Sequence, residues 1–275
     1  MKKHIIIFSL FFILIGACIR STDSIQLPER GICAHRGAME VKPENTLVAF
    51  REAVRLGAQM IEFDVRLTKD GHLVILHDPT VDRTTNGSGA VNDLTFAQVR
   101  RLDAGSWKSP EFKGERIPTL EETLDVMPLN IWLNVHLKGG RKLGEKVARV
   151  IVKEKRTRQA FLACGVDAAR GAKEVNSKIM ICNMERQTHT ADYVDGTIKM
   201  HSNFIQLFRT KPGAEMAAMI KKLKQNHIRV NYCCTDSPQT IKEIFKEGVD
   251  FVLVNHLEDM LQVADSLGIP RLKPM

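Results

Sequence analysis

From residue 31 onward the chain alternates two patterns: short runs in which every second residue is apolar, and longer runs in which apolar residues recur every three or four positions. In 131–138, Ile131, Leu133, Val135 and Leu137 are apolar, while Asn134, His136 and Lys138 are not. That period of two predicts a strand with one greasy face and one face carrying titratable groups. The run 60–67 repeats it, with Ile61, Phe63, Val65 and Leu67 against Met60, Glu62, Asp64 and Arg66. Between such runs, Leu47, Phe50 and Val54 fall at helical spacing. They predict a helix from about Asn45 to Leu56, capped by Asn45 or Thr46 and stopped by Gly57.

Strand-like segments continue at IWLNVHLK, QAFLACG, KIMICNM, FIQLFR, IRVNYCC and DFVLVNH, most of them separated by helical stretches such as GEKVARVIVKEK and GAEMAAMIKKLKQN. With GICAHRG and MIEFDVRLT they make eight. GHLVILHD is left out of that count, because the Lys69-Asp70-Gly71 turn before it marks a hairpin and not a crossover. Eight strands alternating with helices predict an α/β fold, a (β/α)8 TIM barrel over residues 31–268. A small inserted subdomain containing the hairpin follows the second barrel strand, over about 72–118, and ends at the helix start PTLEETLDVM. The stretch 183–203 shows no clear helical pattern. A chain of 275 residues suits one large domain of this kind, whose active site lies at the C-terminal ends of the strands.

The first residues follow another logic. MKKHIIIFSLFFILIGAC has a basic start, an apolar run and small residues before Cys18. Residues 1–17 read as a lipoprotein signal peptide, since Ile-Gly-Ala-Cys resembles a bacterial lipobox whose cysteine is lipidated; a bare signal peptide or a signal anchor is the alternative. Residues 18–30 read as a polar tether. The expectation is an exported lipoprotein of a bacterial envelope, periplasm-facing or on the outer surface, held to a membrane through a lipid on Cys18. Hydrophobic content of 44% and charged content of 26% fit neither disorder nor a multi-pass membrane protein. The net charge of +8 is compatible with anionic substrates or lipid head groups, and no nucleic-acid motif is present. Beyond Cys18, the cysteines Cys33, Cys164, Cys182, Cys233 and Cys234 sit inside strand-like segments with no metal-binding spacing, and are expected to be small buried hydrophobes and not disulfides.

Three polar clusters fall at strand C-terminal ends. Glu62 and Asp64 point the same way, as two carboxylates needed for a hard cation would; an ordinary half-exposed polar row is the alternative. His35 and Arg36 end the first strand, and His77 ends the hairpin strand. Near a phosphodiester, two histidines can share proton transfer while an Arg or Lys balances charge on the phosphoryl oxygens.

The stretch AHRGAMEVKPENTLVAF…GAQMIEFDVRLTKDGHLVILHDPTVDRTTNG resembles the N-terminal half of glycerophosphodiester phosphodiesterases, through its His-Arg-Gly, Pro-Glu-Asn-Thr, Glu-x-Asp and His-Asp motifs. The resemblance implies a barrel with an inserted subdomain, one divalent metal ion (magnesium or calcium), and hydrolysis of a glycerophosphodiester to glycerol 3-phosphate and an alcohol. Carried over by motif, His35 and His77 are the acid/base pair, Arg36 and Lys138 contact phosphate, and Glu62 and Asp64 hold the metal. Glu44 lies near the site or simply belongs to a helix start. The family's third-strand Glu-x-Lys is here His136 and Lys138. An imidazole in that place also suits manganese or zinc, and makes His136 either a third ligand or an acid/base group. The family's seventh-strand Trp-Thr pair is replaced by Cys233 and Cys234, and its late Thr-Asp by Val254 and Asn255. Arg186 and Arg209 either serve an altered anionic pocket or are surface arginines. The substrate expectation is a small-molecule phosphodiester. The alternatives are cleavage of another sugar or lipid phosphodiester with altered metal use, or a non-catalytic anionic-ligand-binding lipoprotein. The oligomeric state stays open.

Overall fold

Eight of the period-two segments pair side by side as parallel strands. The computed structural model describes residues 25–275, so the expected signal peptide and Cys18 anchor lie outside the described residues. The barrel strands are β1 (Gly31–His35), β2 (Met60–Leu67), β4 (Trp132–Leu137), β5 (Ala160–Cys164), β6 (Met180–Asn183), β7 (Phe204–Phe208), β8 (Arg229–Cys233) and β9 (Phe251–Val254). Each pairs with its neighbours in that order, and β1 pairs with both β9 and β2, which closes the sheet into a (β/α)8 barrel. The crossovers carry α1 (Leu47–Leu56), α4 (Arg141–Lys153), α5 (Val166–Val175), α6 (Thr190–Lys199), α7 (Ala214–Gln225) and α8 (Pro238–Glu247); α9 (Leu257–Ser266) follows the last strand. Parallel neighbours need such crossovers because a tight turn can only reverse the chain.

The expected hairpin is β3 (Leu73–Ile75), antiparallel to the end of β2 with Val65 opposite Ile75. After it, the chain carries the short α2 (Phe96–Val99) and returns through α3 (Leu120–Asp125). The intervening loops pack their own satellite core around Val74, Val81, Val91, Val99 and Ile117. Helix α1 starts where Thr46 accepts from the Ala49 amide and ends at Gly57, whose φ of 88° suits a glycine.

Helix α6 occupies the stretch that showed no helical pattern. Its buried residues are Tyr193, Val194 and Thr197, so hydrogen bonds do much of what an apolar stripe does elsewhere. The Tyr193 hydroxyl donates to the Asn183 carbonyl, and Thr197 Oγ1 accepts from Asn183 Nδ2 at 2.9 Å.

The apolar strand face, including Ile61, Phe63, Val65, Leu133 and Val135, meets the helices. The other face fills the lumen. Its lower half is aromatic: Phe161 and Phe204 stack at 3.9 Å, and Trp132 meets Phe204 edge-on at 5.3 Å. Residues 27–29 close this end. Leu27 packs on the aromatic cluster, and Trp132 Nε1 donates to the Pro28 carbonyl at 2.8 Å. Higher in the lumen the residues become polar, first the buried Asn134, Gln206 and Asn231, then the candidate site.

The cysteines divide. Cys33, Cys164 and Cys182 are buried thiols, as expected, and burial pushes all three pKa values up. Cys233 and Cys234 depart from the expectation: they are joined to each other by a disulfide at the partly exposed end of β8. The reason is position. The three thiols lie within the barrel wall, whereas this pair sits where the strand leaves it. Among the described residues no helix is long and apolar enough to cross a membrane.

Candidate active site

The ends of β1, β2 and β4 bring five titratable groups together, His35, Glu62, Asp64, His136 and Lys138. Register sets Glu62 beside His35 and Asp64 beside His136. His136 Nδ1 lies 3.4 Å from Glu62 Oε1 and 3.3 Å from Asp64 Oδ1, and Lys138 Nζ lies 3.0 Å from the same Asp64 oxygen. Glu62 and Asp64 are 2% and 0% exposed, so neither carboxylate can rely on water for its charge. Burial favours the neutral acid at Asp64, but the adjacent His136 ring and the Lys138 charge outweigh it and hold the carboxyl well below its usual range. For His136 burial again opposes the charged form; the polar approach of Asp64 and Glu62 overcomes it and raises the pKa.

The donor set fits a divalent cation. One ligand atom from each of Glu62, Asp64 and His136 lies within 4.8 Å of the others. Asp64 Oδ1 is buried and has ion-pair neighbours but no hydrogen bond of good angle, which leaves an oxygen lone pair directed at the cluster. Two carboxylates and one imidazole suit manganese or zinc as well as the harder magnesium.

The segment 43–46 serves the cluster as well as starting α1. Thr46 is the cap, Asn45 Nδ2 donates to Asp64 Oδ2 at 2.9 Å, and Glu44 Oε1 accepts from Arg36 Nη1 at 2.8 Å. Arg36 is turned inward: its amide donates to Glu62 Oε2 at 3.1 Å and its Nε stands 3.5 Å from Asp64 Oδ2. Gly37, with φ of 80°, lets this turn pass close to α1; a Cβ there would lie 2.8 Å from Ala49 backbone.

Each candidate acid/base histidine has its Nδ1 occupied. His35 Nδ1 is 2.8 Å from Asn255 Oδ1. Asn255 Nδ2 donates to Asp236 Oδ2 at 3.0 Å, and a carboxylate only accepts, so the amide orientation is set and its oxygen faces His35. His35 therefore carries its proton on Nδ1 and turns Nε2 toward Glu62 Oε2, 3.9 Å away. His77 lies two residues beyond β3. Its Nδ1 is 2.7 Å from Asp78 Oδ1, and its carbonyl accepts from Arg66 Nε and Nη2 at 3.0 and 2.6 Å. Burial is the leading influence on His77 and lowers its pKa, despite the Asp78 hydrogen bond. Arg83 holds Asp78 on one side and Glu44 on the other, and its hydrogen bond brings the Asp78 carboxyl down to about 2 against the opposing effect of burial.

The seven expected residues His35, Arg36, Glu62, Asp64, His77, His136 and Lys138 thus gather at one end of the barrel, with the Arg36 guanidinium turned to Glu44 and Asp64, whereas Arg186 and Arg209 stand elsewhere. The sequence pattern points to none of Asp236, Arg66 and Arg83, and it marks Asn255 only as the residue that stands where the family has its late Asp. Beside Lys138 opens a cleft of about 680 Å³ lined by Arg66, Pro79, Asn92, Gly140 and Asp167 among others.

Residues 35–190 match the profile of the "Glycerophosphoryl diester phosphodiesterase family". A glycerophosphodiester phosphodiesterase of Caldanaerobacter subterraneus subsp. tengcongensis is 32% identical over 249 residues, 86% of this chain and 98% of that protein. The Bacillus subtilis protein YhdW is 56% identical over 108 residues, but that match spans 39% of this chain and 44% of YhdW. Among solved structures, a glycerophosphodiester phosphodiesterase from Agrobacterium tumefaciens superposes with a TM-score of 0.74 at 26% identity, over 85% of this chain and 99% of that one. An Oleispira antarctica phosphodiesterase, in complex with its product sn-glycerol-3-phosphate, shares the fold with a TM-score of 0.75 at 24% identity, over 86% and 96% of the two chains.

Proposed function

This chain belongs to the glycerophosphoryl diester phosphodiesterase family of phosphoric diester hydrolases, and from that premise we propose that it hydrolyses a glycerophosphodiester to glycerol 3-phosphate and an alcohol. The observation that carries the reading is the convergence of two buried carboxylates and an imidazole with two histidines, each held through Nδ1 so that Nε2 is left for chemistry.

Glu62, Asp64 and His136 would hold one divalent metal ion, which supplies Lewis-acid charge neutralisation on the phosphoryl group when bound. Lys138 and Arg36 add positive charge beside the same oxygens. His35 and His77 divide the proton transfers. The lowered pKa of His77 favours its neutral form, which suits accepting a proton from the attacking oxygen; His35 would protonate the departing alkoxide in its imidazolium form, with a second proton on Nε2 beside Glu62. The position of His136 Nδ1 between the two carboxylates supports a ligand role over an acid/base role. We further propose that the chain is an envelope lipoprotein anchored through Cys18. Residues 27–29 lie against the closed end of the barrel, so the site would open away from the membrane.

The test is a metal add-back assay. Chelator-treated protein is given magnesium, calcium, manganese or zinc in turn, and glycerol 3-phosphate release from glycerophosphodiesters is measured. Activity that returns with a metal and is lost in Glu62→Gln or His136→Ala supports the reading. Undiminished turnover in the presence of chelator would refute the metal site, and no glycerol 3-phosphate under any metal would refute the reaction.

A further inference from the structure

Across the mouth from the carboxylate cluster, β6 and β7 end in a surface that the reaction above does not use. Phe208, the last residue of β7, is 40% exposed. The guanidinium carbon of Arg186 lies 5.0 Å from the centre of its ring, and that of Arg209 lies 4.8 Å away. Arg186 follows β6. Burial pushes the Cys182 thiol and the Tyr193 hydroxyl up, and the charge of the exposed Arg186 opposes this in both, so that charge acts within reach of the end of β6.

Most arginines of this chain that surround the site are paired: Arg36 and Arg83 with Glu44, Arg66 with the His77 carbonyl. Among the described residues no carboxylate lies within ion-pair distance of Arg186 or Arg209. Glu185, the acid next to Arg186 in the chain, accepts from the Val166 amide instead. Stacking on an aromatic face holds a guanidinium plane in place and leaves its N–H edge free for an anion. Two like charges on one ring repel, and an anion bridging them removes that repulsion while gaining charge-assisted hydrogen bonds.

Position says what the anion belongs to. In the order of the barrel, β6 and β7 are the fifth and sixth strands, opposite the first and second, which carry His35, Glu62 and Asp64. A diester held at those residues has two substituents, and Phe208, on the same face of β7 as the lumen residues Phe204 and Gln206, stands on the side of the mouth that one of them would meet on crossing it. We propose that Arg186 and Arg209, stacked on Phe208, form a subsite for a second phosphate carried by the diester's alcohol, so that the preferred substrates are glycerophosphodiesters of a phosphorylated polyol. The proposal rests on the reading of the chain as a glycerophosphodiester phosphodiesterase and adds no chemical step; the subsite binds and orients.

The test compares glycerophosphoglycerol with the same diester phosphorylated on its far hydroxyl. Loss of each diester is followed by phosphorus NMR, and the ratio of the two kcat/KM values is taken within one protein preparation, which makes it independent of the folded fraction. The wild type is expected to favour the phosphorylated diester by about tenfold or more, and the Arg186→Gln/Arg209→Gln variant to bring that ratio close to one. Equal kcat/KM in the wild type, or a preference that survives the double substitution, overturns the subsite and leaves the reaction standing. Calorimetric titration with both diesters separates the other failure. If neither is hydrolysed but the phosphorylated one binds more tightly through the two arginines, the reaction is wrong and the subsite stands; equal binding there overturns the subsite too.

Discussion

The two halves of the barrel interior are built by the same strands and by residues of the same parity, yet they do opposite things. On β4, Trp132 packs against Phe204 at the closed end, while His136, four residues on, touches Glu62 and Asp64 near the mouth. The lower half stabilises by removing aromatic surface from water. In the upper half, every buried charge costs desolvation and stays ionised only because another charge or hydrogen bond faces it. The comparison teaches that stability and chemistry share each strand but not each level of it, so a substitution should act on one and largely spare the other.

The strongest test of that separation is His77→Ala. It is expected to lower kcat by roughly 10²–10⁴-fold while the thermal midpoint stays near that of the wild type; a large loss of stability would show that the two levels are not separable. The converse is Phe161→Ala, which removes one ring of the stacked pair 3.9 Å from Phe204. It is expected to cost about 3–5 kcal/mol in denaturant unfolding, with KM unchanged in the protein that remains folded.

A smaller effect sharpens the charge balance of the mouth. The pKa of His136 is raised by Asp64 and Glu62 over the opposing effect of burial, so at and below that pKa a metal must displace a proton to bind. Because the protonated form dominates as pH falls, apparent metal affinity is expected to drop about tenfold per pH unit there, and the slope to flatten in His136→Gln. Calorimetric metal titrations about two pH units apart measure it. The smallest effect is expected from Asn255→Ala, which frees the His35 tautomer: kcat falls several-fold while KM and the thermal midpoint change little, a split that a merely structural loss would not produce.

These contrasts were unevenly legible in the chain. The barrel could be read because alternation of side chains along a strand is local, and because eight such runs separated by helices have few ways to pack. Glu62, Asp64 and His136 could be placed on one side by parity, and the structure does bring them within ligand distance of one another. Helix α6 was hidden because its buried side includes Tyr193 and Thr197, which are held by hydrogen bonds that hydrophobic periodicity does not register. Pro-Glu-Asn-Thr read equally as a helix start or a site segment, and it is both: Thr46 caps α1 while Asn45 and Glu44 reach Asp64 and Arg36. The paired Cys233 and Cys234 looked like core residues because their strand pattern does not say where the strand leaves the wall.

By itself, the sequence determined which residues face the lumen, which runs form the strands and most of the helices, and which residue types were available for metal and proton chemistry. Each of those follows from backbone geometry over a few positions. The tertiary structure alone decided which proton His35 keeps and which distant charge answers which, whereas His77 is held by its own neighbour Asp78. His35 finds Asn255 across 220 positions, and Glu44 finds Arg83 across 39, because ring closure of the barrel and folding of the insertion, not local pattern, set those distances. A hydrogen bond depends on a few tenths of an ångström between groups far apart in the chain, and only the closed barrel fixes that.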